Sequence, residues 1–159
     1  MLLMWRLMAT TDVGKEAWSK WEILDTLYPY DQQVYVRAFT GFGVLLVWSK
    51  LEARTIVDLL RNRVTRIYRI VPFELAVPPK SRDVVSAARA LVGEEKSFHL
   101  TCEVRGDYLD VRREELIELL RRELKCFGGE KRLIVEVVWD VVGLLFNEKP
   151  VKLRSPISR

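Results

Sequence analysis

The chain has 159 residues, 49% of them hydrophobic and 30% charged, the balance of a soluble globular protein with room for one ordinary domain or two small ones. Residues 1–148 balance 22 cations against 22 anions, and the net charge of +4 comes wholly from Lys149, Lys152, Arg154 and Arg159. Bulk basicity is thereby excluded as an argument for nucleic acid, and only local clustering of cations can carry one.

No run approaches the roughly 20 apolar residues that span a bilayer. The apolar start, Met1 to Thr11, has neither a basic region ahead of it nor a small-residue cleavage site behind it. It therefore reads as a first strand, and the protein as cytoplasmic with no membrane partner. Cys102 and Cys126 are too few for a disulfide framework and too far apart for a zinc knuckle, and read as small buried apolar side chains. Only two Asn and two Gln stand beside many Arg, Glu and Val, a compositional hint of a heat-loving source.

In chain order, residues 2–10 form an apolar run read as a buried strand. Asp12 is placed to cap a helix whose apolar positions Val13, Ala17, Trp21, Leu24 and Tyr28 recur at helical spacing and which Pro29 ends. Residues 33–39 alternate, with Val34, Val36 and Ala38 on one face and Tyr35, Arg37 and Phe39 on the other. Thr40-Gly41-Phe42-Gly43 supplies turn glycines before the apolar strand Val44 to Trp48, so the pair reads as a hairpin. Ile56, Val57, Leu60 and Val64 mark a second helix, and residues 65–71 a fourth strand stopped by Pro72. The order β-α-β-β-α-β is that of a ferredoxin-like fold.

Pro78 and Pro79 mark a junction. Ser81 is expected to cap a helix with the face Val84, Val85, Ala88, Leu91 and Val92. Residues 97–104 alternate, with Phe98, Leu100, Cys102 and Val104 on one face. Leu116, Ile117, Leu120 and Leu124 give an amphipathic helix, capped near Asp110 and ended by Gly128 and Gly129. Two strands, Leu133 to Val138 and Val141 to Phe146, join at Trp139-Asp140. Residues 147–159 hold two prolines and no periodicity, so they read as a tail. The expected division is 1–75, 76–148 and a basic tail over 149–159.

The chain resembles archaeal THUMP-domain RNA-binding proteins related to the eukaryotic adaptor for tRNA cytidine acetylation, over roughly residues 5–146. Carrying the resemblance are Thr10-Thr11 after the first strand and the Thr40-Gly41-Phe42-Gly43-Val44-Leu45-Leu46 hairpin. Arg66 to Pro72 looks like the closing strand. Ser97 to Leu120, with Val104-Arg105-Gly106 leading into Arg113-Glu114-Glu115-Leu116, looks like the THUMP core strand and helix. The resemblance implies an α+β fold in which an N-terminal ferredoxin-like domain packs against a C-terminal THUMP-type α/β domain. It implies tRNA as ligand, a cytidine acetyltransferase as partner enzyme, and contact with the acceptor end near Arg105, Arg112 and Arg113, with Lys80 and Arg82 joining that set. One departure stands out: THUMP domains usually carry Ser or Thr just before that helix, where this chain has Arg112 and Arg113.

A search for chemistry returns little. The single histidine, His99, lies in an alternating strand on the face with Thr101 and Glu103. One His and no nucleophile elbow allow no Ser/His/Asp triad. No glycine-rich phosphate loop follows a strand and opens a helix, and Gly41 and Gly43 read as hairpin geometry. Glu94/Glu95 and Glu114/Glu115 lie among Arg and Lys, as on solvated helix faces. No donor site, cofactor or metal is expected, and the chain reads as a binding protein, not an enzyme.

Three basic clusters remain. Arg61, Arg63, Arg66 and Arg69 have no acid between residues 59 and 73. Alternation separates Arg66 from Arg69, and Arg61 and Arg63 suit a helix C-terminus. Arg105, Arg112 and Arg113 flank a strand–helix junction, where a helix N-terminus adds amide donors for phosphate. Arg121, Arg122, Lys125, Lys131 and Arg132 are partly neutralised by Glu118 and Glu123, which favours a solvated face. Trp5, Trp18, Trp21, Trp48 and Trp139 suit core packing or an interface. Tyr35, Phe39 and Tyr68 would stack on splayed bases if the first sheet had an open face. Two alternatives stay open: a structural subunit binding a protein partner through sheet edges, without RNA, and a small-ligand domain.

Overall fold

The computed structural model describes residues 4–125 and 128–154. The expectations for Cys126 and Arg159 lie outside the described residues. In chain order the elements are β1 (Trp5–Thr11), α1 (Glu16–Leu27), β2 (Tyr35–Phe39), β3 (Val44–Trp48), α2 (Ala53–Leu60), β4 (Ile67–Pro72), β5 (Leu75–Val77), α3 (Ser81–Val92), β6 (Phe98–Arg105), α4 (Arg113–Leu124), β7 (Lys131–Val138), β8 (Val141–Phe146) and β9 (Val151–Lys152). They form two compact units, one of residues 4–73 with the segment from Lys149 onward, the other of residues 74–148. The class is α+β, as the pattern of elements predicts. No helix among the described residues is long and apolar enough to cross a membrane.

In the first unit the sheet runs β2-β3-β1-β4-β9, antiparallel throughout. Its first six elements make the ferredoxin-like arrangement. Alternation sends Leu7, Ala9, Leu45, Val47 and Ile70 to one face, and the register shift between Thr10 and Thr11 brings Ile67 to it as well, where they meet Ile23, Leu27, Ile56 and Leu60 from the two helices in one core. The segment expected to be a tail returns to this sheet. Val151 sits opposite Ile70 and Lys152 opposite Arg69, and Val151 and Leu153 pack on the core. A two-residue strand carries no periodicity, which is why the sequence shows none.

Helix α1 corrects the sequence reading of its faces. Most of the stripe expected inside is outside: Val13, Trp21 and Tyr28 are more than half exposed and Ala17 is exposed, while Leu24 alone of the five packs against the core. The buried residues are Glu16, Ser19, Ile23, Thr26 and Leu27. Three of these are polar, and each has its hydrogen bonds. Ser19 Oγ donates to Thr11 Oγ1 at 2.8 Å, Thr26 Oγ1 donates to the Glu22 carbonyl at 2.8 Å, and Glu16 accepts from backbone amides. Satisfied polar groups can be buried at little cost, and they disguised the inner face as an outer one. Asp12 does not cap α1 either. Lys15 holds the N-cap position, and Asp12 pairs with Arg154 at 3.2 Å.

In the second unit the sheet runs β5-β8-β7-β6. Strands β6 and β7 are parallel, and the other pairs are antiparallel. Helices α3 and α4 cover one face with Val84, Ala88, Leu116, Leu120 and Leu124 against Phe98, Cys102, Leu133, Val135 and Leu144. These are the faces that periodicity predicts for α3, β6 and α4. The three-residue β5 is an addition, too short to be read. α4 ends at Lys125, which adopts the left-handed conformation of a C-terminal cap, and not at Gly128 and Gly129. Those two glycines lie against β6, with the Gly128 amide donating to the Phe98 carbonyl at 3.0 Å.

Candidate nucleic-acid interface

The strand–helix junction of the second unit is built from Gly106 and Trp139. β6 ends at Arg105, whose carbonyl accepts from the Trp139 amide at 2.8 Å. Gly106 follows at φ +88°, and a Cβ there would stand 2.9 Å from Trp139 Cδ1. Only glycine suits both the conformation and the space. The turn between β7 and β8 thus pins the start of the 106–112 loop that leads to α4.

Asp110 does the next part of the work. Its carboxylate accepts from the Ser81 amide at 2.8 Å and from the Ser81 hydroxyl at 3.3 Å. Sequence reading assigned Asp110 to α4 and Ser81 to its own helix. The N-cap residues are instead Lys80 and Arg112, whose side chains have donors only and cannot accept from a helix amide. Asp110 supplies the acceptor that Lys80 cannot supply to α3. At α4 no side chain among the described residues caps the first turn, so its free amides and the positive end of its dipole face outward.

The Asp110–Ser81 contact ties the starts of α3 and α4 together. Lys80 and Arg82 flank Ser81 and are exposed. The Arg112 side chain is 85% accessible and lies 3.0 Å from Glu115. A shallow cavity of about 480 Å³ lies over the loop, lined by Gly106, Asp107, Asp110, Arg112 and Arg113 among others. The surface is mixed: exposed cations at both helix starts, with Glu114 and Glu115 in the first turn of α4.

Two of the arginines expected here are tied to the fold by their guanidinium groups, Arg105 half-buried and Arg113 still exposed. Arg105 Nη1 lies 2.6 Å from Glu136 Oε2, and Glu136 is buried. Arg113 Nε donates to the Cys102 carbonyl at 3.1 Å. Burial pushes the Cys102 thiol up to about 11, so it sits there as an apolar group. Lys80, Arg82 and Arg112 are therefore exposed at two helix starts that the Asp110–Ser81 contact joins, while the Arg105 and Arg113 side chains are bound to β7 and β6.

The arginines of the first unit diverge. Arg61 and Arg63 are exposed at the end of α2, with Arg61 as its C-cap. Arg66 is half-buried, its guanidinium 5.3 Å from the centre of the Trp18 ring, and its carbonyl accepts from Thr11 Oγ1 at 2.9 Å. Arg69 is half-buried in β4, opposite Thr10 and Lys152. In the third cluster, Lys131 pairs with Glu95 at 2.8 Å, Arg122 lies 3.9 Å from Glu123, and Arg132 donates to Thr101 Oγ1.

The sheet face on which bases would stack if it were open is closed at its centre, where Met8, Leu46 and Val71 are buried. Tyr35 leans on Trp5, and Trp5 meets Trp48 edge-on. Tyr68 carries the Arg154 guanidinium 5.9 Å from its ring centre. His99 is exposed on β6. Sequence reading missed the roles of Asp110, Gly106 and Trp139, because each acts across a turn on a residue distant in sequence. It also missed the exposure of Trp18 and Trp21, which are 55% and 74% accessible.

Comparison with protein-family models gives no match, and none of the curated proteins matches. Solved structures do match. PH1313 from Pyrococcus horikoshii OT3 superposes with a TM-score of 0.67 at 15% identity, over 94% of this chain and 55% of that one. TrmN from Thermus thermophilus gives 0.54 at 16% identity, over 91% of this chain and 46% of that one. A 4-thiouridine synthetase, solved as an RNA complex with bound ATP, gives 0.50 at 15% identity, over 93% and 42%. The chain thus spans about half the length of the structures it matches, and at these identities what it shares with them is the fold.

Proposed function

We propose that this chain is a non-catalytic RNA-binding protein that holds a tRNA and presents it to a modifying enzyme, by resemblance a cytidine acetyltransferase. The observation that carries the reading is the joining of two helix starts through Asp110 and Ser81. Lys80 and Arg82 flank Ser81 and Arg112 opens α4, and in this reading the three serve as one phosphate-binding set beside the uncapped first turn of α4. This turn follows the carboxyl end of a parallel strand, where α/β sheets commonly bind ligands. A phosphate there meets charge from the three cations and donors from the helix amides.

Further support comes from the fold, shared over more than nine-tenths of this chain with a synthetase solved together with RNA. Arg105 and Arg113 act as positioning residues, holding the loop from which Arg112 projects. Arg61 and Arg63, exposed and in an acid-free stretch, add phosphate contacts on the first unit. Such contacts position an RNA without reading its sequence, so selection rests on the shape of the tRNA and its single-stranded end.

The test is a binding titration of the purified chain with tRNA at two salt concentrations, together with a turnover assay. Binding that weakens with salt, as counterion release requires, supports the reading. Modification of tRNA by the purified chain alone overturns its non-catalytic part.

A further inference from the structure

The outward face of α1 stands clear of the core except at Leu24, which packs against its edge. Trp18, Trp21 and Tyr28 are 55%, 74% and 56% exposed, and Ala17 lies exposed beside them. A contiguous exposed apolar patch marks a binding surface, and tryptophans are the commonest anchors of such surfaces. The patch is held in shape. Arg66 lies 5.3 Å from the Trp18 ring centre, and the Glu22 carboxylate fixes the chain beneath by accepting from the Thr65 and Arg66 amides at 2.9 and 3.3 Å. An open groove of about 400 Å³ lies among Trp18, Trp21, Glu22 and Asp25.

The charges at its two ends have opposite signs. Lys15 stands at the N-cap of α1 and Asp25 on its third turn, about 15 Å apart at the rise of an α-helix. Both are exposed, and neither joins an ion pair among the described residues.

We propose that this face binds the same face of a second copy of the chain about a two-fold axis, with the two α1 helices antiparallel. One register satisfies the whole face. Setting Lys15 against Asp25 of the other copy also sets Trp18 against its Trp21, and Ala17 against its Leu24. The midpoints of the three pairs all fall within half a residue of Lys20. A two-fold interface repeats each contact, so two ion pairs close the ends of a layer of four tryptophans. The small side chain of Ala17 lets the helices approach. RNA fits this groove poorly, because Glu22 and Asp25 line it and repel phosphate. The inference is independent of the RNA-binding reading.

Sedimentation equilibrium of the full chain from about 1 to 100 μM tests it, with circular dichroism to confirm folding of each variant. The wild type is expected to rise with concentration from 18.6 kDa to twice that mass. Trp21→Glu, on an exposed helix position, is expected to weaken association at least about tenfold. Asp25→Lys alone is expected to weaken it, and Lys15→Asp combined with Asp25→Lys to restore it. A wild type that stays at the mass of one chain overturns the proposal. So does a dimer indifferent to Trp21→Glu, or a double exchange that restores nothing. Loss of tRNA binding by Trp21→Glu, with the wild type monomeric throughout, replaces the second copy with RNA as the occupant.

Discussion

The Glu16 carboxylate accepts from the Gly43 amide at 2.9 Å, joining the first turn of α1 to the hairpin between β2 and β3. Gly41 donates to the same oxygen at 3.0 Å, and Gly14 to the other at 2.9 Å. A glycine turn that looked like hairpin geometry alone is therefore also the cradle of a buried anion. Gly43 has a second constraint: at φ +68°, a Cβ would stand 2.5 Å from the Thr11 carbonyl oxygen.

Glu16→Ala leaves buried amides without their acceptor and is expected to cost about 3 kcal/mol. Gly43→Ala, strained in both conformation and contact, is expected to cost about 2 kcal/mol or more. Gly41→Ala also strains a positive φ, but nothing lies within 4 Å of its Cβ, so its cost is expected to be smaller. Urea unfolding midpoints check the order of the three.

Acid should destabilise the first unit in a defined window. Burial acts to raise the Glu16 pKa, but the bonds from backbone amides outweigh it and hold it below the ordinary 4.5. Burial opposes Asp31 in the same way, and Ser49, Lys50 and Gln33 bring it below 3.8. A carboxylate lowered in the folded state contributes stability above its unfolded pKa and loses it as pH falls through the folded value. Stability is expected to be flat above about pH 5 and to fall below pH 4.5, with a shallower fall in Glu16→Gln. Unfolding midpoints measured down to about pH 3 check this.

Arg105 and Arg112 are expected to separate stability from binding. Arg105→Ala removes the charge partner that lies 2.6 Å from the buried Glu136 carboxylate and is expected to cost up to about 3 kcal/mol of stability, with a smaller loss of tRNA affinity than Arg112→Ala gives. Arg112→Ala removes an exposed pair with Glu115 and is expected to change stability by less than about 0.5 kcal/mol, while weakening tRNA binding. Paired unfolding and filter-binding curves check both halves.

Cys102 should be inert. Its thiol is buried and pushed up to about 11, so little thiolate exists at neutral pH. Alkylation of the native protein, mapped by mass spectrometry, is expected to leave Cys102 unmodified until the chain is unfolded.

Most of the fold was legible because it rests on periodicity. The alternation of Phe98, Leu100, Cys102 and Val104 and the spacing of Leu116, Leu120 and Leu124 place the second unit's core correctly. Periodicity failed at α1, where Glu16, Ser19 and Thr26 occupy the inner face through hydrogen bonds and Trp18 and Trp21 point outward. It also had nothing to say about β5 and β9, which are too short. At the candidate site the cations were legible as a cluster, but their division was not. Whether an arginine projects, as Arg112 does, or is bound, as Arg105 is by Glu136, depends on partners about 30 residues away. The capping of α3 by Asp110 is hidden for the same reason.

The central claim is that tRNA binds where the starts of α3 and α4 meet. The most direct measurement is a filter-binding titration with tRNA at low and moderate salt, comparing the wild-type chain with a Lys80→Ala, Arg82→Ala, Arg112→Ala variant of matched stability. The expected result is salt-sensitive binding that the variant weakens at least about tenfold, with the slope of log affinity against log salt reduced by about 2–3. Wild-type affinity and slope in the variant, or no binding by the wild type at either salt, would contradict the claim.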